Sequence, residues 1–83
     1  MQNGKPDMLV LTEVLAKAIV EAPEEVSVEA FEENGQTVLE LVVAEEDVGR
    51  VIGRHGRTAR SLRTILHSAS LRTRKRYQLE IVE

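Results

Sequence analysis

Gly53 and Gly56 bracket Arg54 and His55, and further arginines follow at positions 57, 60 and 63. A backbone carrying two residues without a Cβ can turn sharply and come close to a ligand. If a helix begins just after Gly56, its first N–H groups have no partner within the helix, and with the loop amides they face a point where a phosphate fits. Arg54 adds a planar guanidinium whose donors match phosphate oxygens, and His55 adds a charge that varies with pH. The same four residues also suit a tight turn between two helices with glycine as a cap, and two glycines alone do not choose between these readings.

Other chemistries are disfavoured by what the chain lacks. Without cysteine there is no disulfide, thiolate nucleophile or Cys-based zinc site, and His55 and His67 are too few for an ordinary metal site. No metal and no cofactor is expected. The pair Glu45-Glu46 reads as charge at a helix N-terminus, and no nucleophile–base constellation accompanies it, so the chain is not read as an enzyme. No apolar stretch approaches the ~20 residues that span a bilayer, and the opening MQNGKPD lacks the apolar core of a signal peptide. The expectation is a cytoplasmic protein with no membrane partner, its 83 residues forming one small domain.

A formal net charge of −3 conceals two halves of opposite sign. Residues 1–48 hold Lys5 and Lys17 against twelve acidic side chains, a net −10, whereas residues 49–83 hold nine basic side chains against Glu80 and Glu83, a net +7. Local field depends on where charges sit, so an acidic total does not exclude a polyanion partner for the second half.

The elements that must position the glycine loop follow from periodicity. Asp7 caps a helix that runs to about Ala22, with Leu11, Val14, Leu15, Ala18 and Ile19 on its apolar face, and Pro23 ends it. VSVEAFEE (26–33) and TVLELVV (37–43) read as strands joined through Asn34-Gly35, a hairpin signal. EEDVGRVI (45–52) reads as a short helix, a second helix spans 57–70, and RKRYQLEIV (74–82) alternates as a last strand. At about 100° per residue, Ala59, Leu62, Ile65, Leu66 and Ala69 share one side of the second helix, and Arg57, Arg60, Arg63 and His67 share the other. The order αββααβ predicts an α+β domain with three helices on one face of a three-stranded mixed sheet. With Val28, Ala30, Leu39, Leu41, Leu79 and Ile81 pointing inward, Glu29, Phe31, Glu40 and Glu80 point outward. Those carboxylates, with one Phe and one Tyr in the chain, disfavour base stacking on the sheet, so nucleic acid belongs on the helices.

Val51-Ile52-Gly53-Arg54-His55-Gly56, with Arg57, Ala59, Leu62 and Ile65 after it, resembles the V-I-G-x-x-G-x-x-[IA]-x-x-[IL] signature of K-homology (KH) domains, and αββααβ resembles their bacterial type II arrangement. The chain's length, the string EDVGRVIGRHGR and the closing EIVE are similar to the small single-KH proteins of the KhpA-like family, with a core over about 7–83 and a flexible 1–6. The resemblance implies a non-catalytic RNA-binding module whose G-x-x-G loop clamps the backbone of about four unpaired nucleotides, the bases lying in a groove between the glycine-flanking helices and a sheet edge. By position, Gly53 and Gly56 give close approach, Arg54 and His55 contact the sugar-phosphate backbone, and Arg57 and Arg60 extend the positive rim. Arg50 adds a phosphate contact, and Val51, Ile52, Ala59 and Leu62 line the groove or lie under it. His55 stands where lysine, arginine or glutamine is usual. The resemblance further implies an RNA chaperone working as a homodimer or with a KhpB/Jag-type KH partner. A protein–protein adaptor that uses the same fold for dimerisation is the alternative, and single-stranded DNA remains open as a ligand.

Overall fold

A computed structural model describes residues 6–83, and the expectation of a flexible start falls, for residues 1–5, outside the described residues. Helix α1 (Met8–Ile19) begins where the Asp7 carboxylate accepts the N–H groups of Leu9 at 3.1 Å and Val10 at 3.2 Å. It stops at an extended Val20 and does not continue to Ala22. The cause lies far along the chain: the N–H groups of Glu21 and Ala22 donate to the two carboxylate oxygens of Asp47, at 3.1 Å each, and a single 3-10 turn at Pro23–Glu25 follows.

The buried side of α1 is rotated from the expected one. Met8, Thr12 and Ala16 are buried, Leu11, Leu15 and Ile19 pack half-buried beside them, and Val14 is 57% exposed. A threonine can take the centre because its hydroxyl donates to the Met8 carbonyl at 2.7 Å and so leaves no unpaired polar group inside.

Strands β1 (Ser27–Glu33) and β2 (Gln36–Val42) pair antiparallel through a turn in which Asn34 and Gly35 both take positive φ, 53° and 80°. A single 3-10 turn at Glu45–Asp47 leads into helix α2 (Val48–Ile52), so the segment expected as one short helix is two pieces. Helix α3 (Arg57–Ser70) has its expected bounds. Strand β3 (Tyr77–Ile81) is shorter than expected because residues 71–76 form turns: Thr73 N–H donates to Ser70 O at 2.9 Å, Lys75 N–H to Thr73 Oγ1 at 3.1 Å, and Arg74 lies at φ 63°, outside strand geometry. β3 joins β2 in parallel, giving the sheet order β1-β2-β3.

The helices cover one face of this mixed sheet, an α+β arrangement as predicted. Leu39 and Leu41 of β2, with Leu79 of β3, Val51 of α2 and Leu62 and Leu66 of α3, form the buried centre. β1 lies at the margin, so Val28 is half-buried and Ala30, expected inside, is exposed. Val38 faces the other way and is nonetheless fully buried, shielded by Phe31 and Gln78 opposite it in register and by the Gln36 amide, which donates to Gln78 Oε1 at 2.8 Å.

Candidate nucleic-acid interface

The loop between α2 and α3 is built from left-handed backbone. Gly53 has φ 78° and ψ 167°, His55 φ 58° and ψ 25°, and Gly56 φ 73° and ψ 16°. Glycine is required at Gly53 by contact as well as by conformation: a Cβ there would lie 2.8 Å from the Thr58 backbone nitrogen. At Gly56 a Cβ would meet nothing within 4 Å, so conformation alone selects glycine. His55 takes the same region with a full side chain, a strained state to which histidine is more tolerant than most residues. Sequence spacing marks the two glycines and gives no sign of this third residue.

This geometry spends some of the amides expected to converge on a phosphate. Gly56 N–H donates to Gly53 O at 3.0 Å and Arg57 N–H to Arg54 O, closing a tight 3-10 turn. The positive side chains are what the loop offers outward. Arg54, His55 and Arg57 are exposed, and among the described residues none of them is in an ion pair. Arg60 Nη2 reaches back to the His55 carbonyl at 3.4 Å, a contact within the loop's own rim.

Arg50 is placed differently. Its Nε donates to Asp47 Oδ1 at 3.3 Å and its Nη2 lies 3.7 Å from Glu21 Oε2. Asp47 is itself buried beneath these contacts. The Glu21 N–H, then the Ala22 N–H and the Arg50 guanidinium, hold its carboxyl below the ordinary carboxylate value against the opposing effect of burial. Arg50 thus ties α2 to the end of α1, and its charge is largely balanced before any ligand arrives.

The apolar residues of the motif separate into two groups. Val51 is fully buried, Ala59 is 3% exposed and Leu62 is 5% exposed, so all three lie beneath the surface. Ile52, grouped with them in sequence, is half-buried. Between α3 and β3 lies a cleft of about 300 Å³ with Leu39, Leu66 and Leu79 on its floor and Arg63, His67 and Tyr77 at its edges. Arg63 Nη2 donates to Leu79 O at 3.3 Å, fastening α3 to the outer edge of β3. Tyr77 was missed as a groove residue because only the parallel crossover brings the start of β3 beside the end of α3. The alternation of β3 gave it a face and no neighbour. Among the described residues no cluster of His, Cys, Asp or Glu could hold a metal ion, and no helix is long and apolar enough to cross a membrane.

A three-stranded mixed sheet backed by three helices in the order αββααβ, with a G-x-x-G loop joining the second helix to the third, defines a KH domain of the type II arrangement. The match extends to one family in particular. Residues 10–81 fit the model of the KhpA/KhpB KH domain, and the chain belongs to that family. It is 48% identical over 69 residues to the RNA-binding protein KhpA of Treponema pallidum, covering 83% of this chain and 86% of the relative. It is 47% identical over 72 residues to the RNA-binding protein KhpA of Thermotoga maritima, covering 87% and 95%. Among solved structures, Aquifex aeolicus Era bound to GDP and aluminium fluoride matches with a TM-score of 0.63 at 17% identity, over 89% of this chain and 29% of that one. That likeness concerns the fold alone.

Proposed function

We propose that this chain is a non-catalytic, cytoplasmic RNA-binding module that holds short single-stranded RNA at the Gly53-Arg54-His55-Gly56 loop and acts as an RNA chaperone. The observation that carries the reading is the loop itself: three of its four residues are left-handed, and that backbone holds Arg54 and His55 outward beside Arg57 with no acidic partner among the described residues. Gly53 and Gly56 permit close approach, Arg54, His55, Arg57 and Arg60 meet the sugar-phosphate backbone, and bases enter the cleft between α3 and β3. Val51 and Ala59 support this surface from beneath, and Arg50 sets the position of α2. Relatives named as RNA-binding proteins support the RNA-binding part of this reading.

One loop taking about four nucleotides binds weakly, so the working form is a homodimer or a complex with a KhpB/Jag-type KH protein, in which a second surface raises avidity. Exposed Thr64, Ile65 and Ser68 on α3 offer that contact, with Ile65 44% exposed. The same exposure supports the adaptor reading, in which association is the main role.

Arg54→Asp with His55→Asp tests the assignment. Both side chains are exposed, so the melting curve should stay close to that of the parent while filter binding of a short single-stranded RNA is lost. Arg54→Gln alone should lower the slope of log affinity against log salt by about 0.7, the value of one phosphate contact on a single strand. A folded double variant that keeps its RNA affinity would overturn the reading.

A further inference from the structure

The face of the sheet turned away from the helices carries no covering element among the described residues, and its register arranges side chains in rows that cross the strands. Glu29 lies opposite Glu40, and Glu40 opposite Glu80, so one row is three carboxylates. Phe31, 41% exposed, flanks that row on one side, and Val42 and Val82, 38% and 41% exposed, flank it on the other. Like charges set directly opposite one another weaken a ladder, and among the described residues no cation lies within ion-pair distance of these three. Such a row gains stability when cations of the same spacing cover it.

The spacing is specific. Adjacent strands set the carboxylates about 4.8 Å apart. Exposed Arg57, Arg60 and Arg63 recur every three residues of α3, about 4.5 Å apart along the axis and within about 120° of arc. The two series agree in number, in step and in opposite sign. One chain cannot join them, because its α3 packs on the other face of its own sheet.

We infer that the open sheet face docks α3 of a second copy of this chain, the helix lying across the strands. Guanidinium groups of the helix meet Glu29, Glu40 and Glu80, and the arginine stems cover Phe31 and Val42. The contact is heterologous, sheet to helix, so it is distinct from the paired RNA-bound form proposed above, and in the absence of RNA its repetition builds a chain or a ring. It covers the stripe that RNA takes, so RNA and the second copy compete. That competition rests on the RNA-binding reading, whereas the docking does not.

Sedimentation velocity of the full chain without RNA tests the docking. At about 50 mM salt the sedimentation coefficient should rise with protein concentration, and at about 500 mM the rise should vanish as screening shortens the reach of the charges. Glu40→Arg and Arg60→Glu should each abolish the rise, with Glu80→Arg at the sheet margin as a second variant should Glu40→Arg fail to fold. In an equimolar mixture of Glu40→Arg and Arg60→Glu chains both sheet-to-helix contacts between the two carry opposite charges again, one as in the parent and one reversed, so the rise with concentration should return. Association that survives Glu40→Arg and Glu80→Arg, or a mixture that stays monomeric, would overturn the docking. An oligouridylate of ~8 nucleotides, twice the span of a single KH loop, should dissolve the parent assembly. If it binds and leaves the assembly intact, shared use of the stripe is wrong. If it does not bind at all, the RNA-binding reading fails and the variants alone decide the docking.

Discussion

Gly53→Ala and Gly56→Ala put the same methyl group into two left-handed positions of one loop, and they separate backbone strain from contact. At Gly56 the added Cβ meets nothing within 4 Å, so the cost is the left-handed penalty alone, about 1–2 kcal/mol. At Gly53 the backbone, φ 78° and ψ 167°, lies in a region that side-chained residues avoid, costing about 1–3 kcal/mol. The methyl would also press on Thr58, against its hydroxyl, 2.7 Å from its Cβ and 2.8 Å from its backbone nitrogen. Rotating the threonine moves the hydroxyl and neither of the other atoms, so the first turn of α3 must shift, adding an overpacking cost of about 1–3 kcal/mol. The sum, about 2–6 kcal/mol, is a large part of the stability of a domain this size, about 4–12 kcal/mol at ordinary per-residue values. In urea melts followed by circular dichroism, with a slope near 1 kcal/mol per molar, Gly56→Ala should lower the midpoint by about 1–2 M, and Gly53→Ala by at least about twice as much or with loss of the folded baseline. Thr58→Ala keeps the Cβ and so should not rescue Gly53→Ala. Equal midpoint shifts for the two glycine variants would refute the argument from contact.

Two further outcomes follow from the same neighbourhood. His55→Asn, which places a residue at ease in left-handed backbone at φ 58°, should raise stability by about 0.5 kcal/mol or less while weakening RNA binding; a destabilised Asn variant in the same urea melt would count against strain at this position. Asp47, whose carboxyl is held below its ordinary value chiefly by the Glu21 N–H, contributes stability that is present above the unfolded-state value, near 4, and is lost as pH falls through the lower folded value. Melting temperature should therefore fall more steeply on acidification below about pH 4 in the parent than in Asp47→Asn, which should already melt lower at neutral pH, and parallel curves would refute the linkage.

Much of this molecule was legible in the sequence because the relevant signals are local. Asp7 marks a helix start, Asn34-Gly35 a hairpin, and the bounds of α3 follow from a single amphipathic period. What escaped depends on contacts between distant segments. The end of α1 is set by Asp47, 25 and 26 residues away, and nothing within residues 19–22 announces a competing acceptor for their amides. Thr12 counts as polar in any periodicity, yet the carbonyl one turn back lets it occupy the buried centre of α1. Arg50 reads as another free cation of the basic half until the fold sets Asp47 and Glu21 beside it. The motif located the candidate loop, and the structure assigns different degrees of availability to the cations around it.

Strand register turns a division of charge along the sequence into a division of charge in space. The acidic first half supplies Glu29 and Glu40 to the open sheet face, and the basic second half supplies Arg54, Arg57, Arg60 and Arg63 to the loop and α3 on the opposite side. Glu80 belongs to the basic half by position and breaks the rule in sequence. Parallel pairing restores it in space: with Leu39 opposite Leu79 in the core, Glu80 falls opposite Glu40 and completes the acidic row. A one-residue slip of β3 would move that carboxylate among the helices and expose Leu79 in its place, so burial of Leu79 and segregation of charge select the same register. The packing that stabilises the sheet therefore also keeps the helical face positive, which is how a chain of net charge −3 can present a surface suited to phosphate.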